Sequence, residues 1–154
     1  MGLDMYLFAG RYEGKYINGE NYGKVGFYPD ELKELQEEVD NRSTASRQIL
    51  YKVGYWRKAN AIHEWFINHC AEGVDDCRQV YVSREDLTKL LGVCKSVLKD
   101  HSKASELLPT CDGFFFGTTD YDDWYYHDLE YTKNLISKLL KLGDNYDFYY
   151  EASW

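Results

Sequence analysis

The apolar positions of this chain divide it into helix-like and strand-like segments. Leu87, Leu90, Leu91, Cys94, Val97 and Leu98 recur at the spacing of an amphipathic helix. Ser83-Arg84-Glu85-Asp86, just ahead of them, resembles a capping box with aspartate where glutamate is more usual. Leu129, Leu135, Ile136, Leu139 and Leu142 mark a second helix, predicted over Asp122–Leu142 and stopped by Gly143. A third opens at Pro29-Asp30-Glu31, where proline and acids suit a first turn, and carries a narrow apolar row of Leu32, Leu35 and Val39. The fourth runs from Trp56 to Cys70. At about 100° per residue, Trp56, Ala59, His63, Phe66 and Cys70 share one side of it, beside a polar stripe of Arg57, Asn60 and Glu64.

Strands are predicted at Leu3–Ala9, whose apolar character Asp4 interrupts, at Ile49–Tyr55, at Gln79–Val82, at Gly113–Thr118 with its three phenylalanines, and at Tyr146–Trp154. Between these elements, Gly10–Gly26 reads as turn-rich, Asp40–Arg47 as a polar loop, Gly73–Cys77 as a turn, and Leu107–Thr110 as a connector closing at Pro109. Short segments with interspersed helices predict the α+β class: one domain over residues 1–154, with a mostly antiparallel mixed sheet and about four helices. Several connections are also long enough for parallel crossovers. The pattern leaves open whether the aromatic-rich terminal strand lies at an edge or in the centre.

Composition narrows the functions. With 154 residues, 44% of them hydrophobic, the chain can build a proper core. A net charge of −8 and a pI near 5.0 argue against general binding to nucleic acid or to a membrane surface. Nor does any run of about 18 apolar residues offer a bilayer span. Fifteen tyrosines fit aromatic strands with an exposed face, a protein interface or a stacking pocket. Cys70, Cys77, Cys94 and Cys111 form no CxxC pair, and Met1-Gly2-Leu3-Asp4 lacks the apolar run of a secretory leader. The expectation is a cytoplasmic protein with reduced thiols, in which Cys94 is a small hydrophobe on a core face.

Three groups of residues carry candidate chemistry. In the first, Arg57 and Lys58 would lie in the opening turn of the fourth helix, where amides and dipole favour an anion. Trp56, Arg57, Asn60 and His63 are therefore the candidate ligand-binding set, able to hold a phosphate or carboxylate while a ring stacks on an attached base. The alternative pairs Arg57 with Glu64 or a distant aspartate and makes His63, an imidazole in an apolar stripe, part of a structural polar network. The second group is Thr118–His127. Its acids lack the alternating ligands and glycine of a calcium loop, and Thr119 or Asp120 capping a helix explains them more cheaply, although acids and aromatics there could also rim a pocket or partner site. The third is nucleophilic or acid–base work by His63 or His127 with Cys70, Cys77 or Cys111, for which no spacing fixes a pair.

No Gly-x-Ser-x-Gly elbow is present, and Gly10-x-x-x-Gly14 is not followed by the residues of a phosphate loop. His63 and His69 would stand about 120° apart on a helix, which is not zinc-protease spacing. The cluster His69, Cys70, Asp75, Asp76 and Cys77 matches no zinc module, so neither metal nor cofactor is expected.

The opening Met1-Gly2-Leu3-Asp4-Met5-Tyr6-Leu7, the block from Val53 to Phe66, the segment Gly113-Phe114-Phe115-Phe116-Gly117 and the close from Phe148 to Trp154 resemble small phage- and prophage-encoded proteins. The similarity spans nearly the whole chain, least over Tyr12–Asn21 and Ser43–Gln48. It brings no activity and no residue roles. What it implies is a phage accessory setting, in the cytoplasm of an infected or lysogenic cell, where small acidic proteins block or sequester host components. The leading expectation is thus non-catalytic binding of a host protein, or sequestration of an anionic nucleotide-like ligand, with a homo-oligomer left open. The alternative is a small hydrolase or transferase on a phosphorylated or nucleotide substrate. It would use His63 as acid–base and Arg57 as anion clamp, and needs a second titratable group near His63 such as Asp4 or Asp120.

Overall fold

A computed structural model describes residues 2–14, 16–17, 20–21 and 46–154. Strict alternation builds the inner face of its sheet. Along β1 (Asp4–Gly14), Met5, Leu7 and Ala9 are buried, with Asp4, Tyr6 and Phe8 between them half-exposed. Near the end of the chain, β6 (Asp147–Ser153) buries Phe148, Tyr150 and Ala152 in the same rhythm. The sheet order is β4-β1-β6-β5, with β4 spanning Ser46–Arg57 and β5 spanning Val80–Val82. β5 runs antiparallel to β6, with Tyr81 opposite Tyr149. The terminal strand is therefore central.

The chain divides into two compact units, residues 1–9 with 51–154 and residues 10–50. The second contains the closing part of β1, the opening part of β4 and a short antiparallel ladder of β2 (Tyr16–Ile17) with β3 (Glu20–Asn21). The first holds the four described helices: α1 (Asn60–Cys70), α2 (Arg84–Lys99), α3 (Ala104–Leu107) and α4 (Asp123–Leu139). Their apolar rows join the inner strand residues in one core. Phe66 of α1 stacks on Tyr150 at 4.2 Å, and Leu87, Leu90, Cys94, Leu129 and Ile136 are fully enclosed. Four helices with a four-stranded antiparallel sheet make this an α+β protein.

Ser83 caps α2 as its sequence suggests, accepting the amide of Asp86 at 3.0 Å. Other boundaries differ from expectation. β4 extends through Trp56 and Arg57, so the predicted Trp56–Cys70 helix begins only at Asn60. The reason lies across the sheet. The Lys58 amide donates to the Leu3 carbonyl at 2.8 Å, and Lys58 then turns the chain at φ 58°. Gly113–Thr118 is a turn rather than a strand, closed by Phe116 N–H to Gly113 O at 3.1 Å and eased by Gly117 at φ 89°. β1 continues through Gly14 into the span expected to be turn-rich. Asp122, not Thr119 or Asp120, caps α4, which ends at Leu139 instead of Leu142. Part of the expected 107–110 connector is helical as α3. The helix expected from Pro29 lies outside the described residues.

Candidate functional site

The four residues singled out at the start of the expected helix part company. Trp56 points inward from β4, 2% exposed, and its indole N–H donates to Thr132 Oγ1 at 2.9 Å. Arg57 is exposed at the strand end. Asn60 and His63 face the core side of α1, and both are spent on holding other segments in place.

Asn60 is the anchor of the loop that follows α3. Its Nδ2 donates to Phe116 O at 3.0 Å and Thr118 O at 2.8 Å, and its Oδ1 accepts the Cys111 amide at 3.1 Å. Three bonds from one buried amide fix both ends of the 111–118 turn. Leu3 N–H adds a fourth tether, to Phe115 O at 3.3 Å.

His63, wholly buried, is bonded at both nitrogens. Tyr150 Oη lies 2.7 Å from Nδ1 and Asp75 Oδ2 lies 2.9 Å from Nε2. Burial drives the Tyr150 phenol well above its ordinary value, so its hydroxyl keeps its proton and donates to Nδ1. Nε2–H then points at the carboxylate. The other oxygen of Asp75 accepts from the Trp154 indole at 3.1 Å, and Phe116 lies edge-on to His63 at 5.1 Å between ring centroids. Neither aspartate suggested as the partner takes that place: Asp4 accepts from Tyr55 Oη at 2.5 Å and Asp120 from Thr118 Oγ1 at 2.8 Å. Asp75 is separated from His63 by a helix end and a turn, so local pattern could not reveal it. The signal that was legible is the cost of a buried imidazole without partners.

A small open cleft lies between the first turn of α1 and α4, lined among others by Lys58, Asn60, Thr118, Asp120, Asp122, Trp124 and Asp128. Of the four candidate binding residues, Asn60 alone reaches it. Asp122 is committed to the Tyr125 amide at 3.0 Å. Burial pushes Asp128 up to about 6, with the Asp122 charge adding and His127 opposing. Three carboxylates around one lysine oppose an anion here.

Three of the thiols are not primed for attack. Burial pushes Cys70 and Cys94 up to about 12 and Cys111 up to about 11, the last helped by a hydrogen bond to Glu64 and by the charges of Glu64, Asp112 and Asp75. Within the suspected metal cluster, His69 stacks on Trp65 at 4.2 Å and donates through Nδ1 to its carbonyl, while Asp76 pairs with Arg78. Among the described residues no three His, Cys, Asp or Glu side chains converge as metal ligands would.

What the surface presents instead is aromatic. Phe114 is 94% exposed at the tip of the anchored turn, Trp124 74% exposed on α4 and Trp154 46% exposed beside Asp75. No described helix is long and apolar enough to cross a membrane. Comparison with protein families, with curated proteins and with solved structures finds no match.

Proposed function

We propose that this protein is a non-catalytic binding protein of the phage accessory type, docking onto a host protein in the cytoplasm of an infected or lysogenic cell. The observation that carries this reading is Phe114, almost wholly exposed on a turn that Asn60 holds by three hydrogen bonds. A phenylalanine left 94% exposed gains little from burial within its own chain. Held rigidly, it can fill a partner's pocket with little ordering cost, gaining on the order of 2–3 kcal/mol from burial alone. The anionic-ligand reading is weakened by the carboxylates of the cleft. The hydrolase or transferase reading requires His63 to reach a substrate, and both its nitrogens are engaged beneath the surface.

The test is photo-crosslinking inside bacterial host cells, with benzoylphenylalanine replacing Phe114 and, as control, the exposed Lys99 at the far end of α2. A discrete adduct at position 114, absent at position 99, is expected. No adduct at 114, or the same products at both positions, would overturn the reading.

A further inference from the structure

We infer that the cleft between α1 and α4 binds the zwitterion of a free α-amino acid. Its two walls carry opposite charges that the protein leaves unpaired. On the α1 side stands Lys58, whose backbone turns at φ 58° and whose side-chain stem packs on Gly117. Beside it, the first turn of α1 has neither a side-chain cap nor an acid, so its leading amides are open to a carboxylate. On the α4 side stands Asp128. Among the described residues its carboxylate makes no hydrogen bond and no ion pair, although Lys58 lines the same cleft. Half-buried without a mate, its charge costs stability, and burial pushes its carboxyl up to about 6. Asp120 and Asp122 each have one oxygen spent, on Thr118 Oγ1 and on the Tyr125 amide, and one left over. Trp124, one turn before Asp128 on the same face of α4, is 74% exposed, while Ile62 and Leu129 are buried apolar residues of the lining.

Neither ion alone suits these walls. A plain anion at Lys58 meets three aspartates, and a plain cation at Asp128 meets Lys58. An α-amino acid carries both charges on one carbon. Its carboxylate takes Lys58 and the α1 amides, and its ammonium donates to Asp128 and the remaining oxygens of Asp120 and Asp122. The side chain then lies against Ile62 and Leu129, with the Trp124 ring beside it. A peptide brings only one of these charges at each end, so the ligand is the free amino acid. Such a site is independent of whether Phe114 meets a partner.

The experiment follows the Trp124 indole N–H by proton–nitrogen NMR at pH 7 and fixed ionic strength while glycine, L-leucine or L-phenylalanine is added. Leucinamide, which keeps only the positive charge, and N-acetyl-leucine, which keeps only the negative one, are the controls. The proteins compared are the intact chain, Asp128→Asn, Lys58→Gln and, away from the cleft on α2, Glu85→Gln. Asparagine at 128 removes a costly charge, so loss of binding there is not loss of the fold. At least one amino acid is expected to give a saturable shift, with leucine about tenfold tighter than either single-charge analogue. Asp128→Asn and Lys58→Gln should each weaken it by about tenfold, and Glu85→Gln should leave it unchanged. No saturable shift with any of the three amino acids would overturn the site. So would leucinamide or N-acetyl-leucine binding as tightly as leucine, since one charge would then suffice, or an affinity indifferent to Asp128→Asn.

Discussion

His63 sits where an apolar side chain would be cheaper, and its neighbours explain how it is tolerated. Removing the ring as His63→Ala opens a cavity and strands the Tyr150 hydroxyl and one oxygen of Asp75. The expected loss is about 3 kcal/mol of unfolding free energy by urea denaturation, and a loss below about 1 kcal/mol would show the network to be dispensable. Asp128 gives a pH-dependent prediction. Its folded-state value, about 6, lies above that of an unfolded aspartate, so folding favours the protonated form. That contribution is fully present below about pH 4 and is lost as the pH rises through about 6. Asp128→Asn mimics the protonated group. It should raise the unfolding free energy at pH 7 by roughly 1 kcal/mol after allowing for partial solvent exposure, read as a higher melting temperature, and leave both unchanged near pH 3.5. At this scale the sequence exposed the tension around His63 but not its resolution, because Asp75 and Tyr150 arrive from a turn and a distant strand.

Among the elements, the helices were the most readable and the ends of strands the least. The Ser83 cap illustrates the first. Ser83→Ala should cost about 1 kcal/mol in a denaturation midpoint. The box is closed differently from the usual one: aspartate, a methylene shorter than glutamate, accepts the Ser83 hydroxyl at 2.5 Å. Strand β4 illustrates the second. Its inward residues include Gly54, where an added Cβ would lie 2.6 Å from Leu135 Cδ2 and 3.2 Å from Leu7 Cβ. Gly54→Ala is therefore expected to destabilise by about 2 kcal/mol, with Leu135→Ala in the same chain recovering part of the loss in thermal melts. The helical spacing from Trp56 onward misplaced the junction, since a residue on a strand can share the apolar character of the helix that follows it. Three successive phenylalanines likewise suggested a strand. Their rings instead spread over a turn, half-buried to fully exposed, because Asn60 bonds the carbonyls a strand ladder would have used.

Across the whole molecule, β6 lies between β1 and β5, and its buried residues meet α1 as well. Truncation after Asn145 should therefore abolish the cooperative thermal transition seen by circular dichroism, whereas loss of an edge strand would only lower it. A truncated chain that still melts cooperatively would contradict the observed strand order. The acidic balance, the α+β class, the positions of three helices and the burial of Cys94 all follow from residue type and short-range period, which are properties of the sequence alone. Which strand lies in the centre, which carboxylate meets His63, and which of many aromatics stays in water were decided only by tertiary packing. Those outcomes depend on contacts between residues far apart in the chain, and local periodicity carries no record of them.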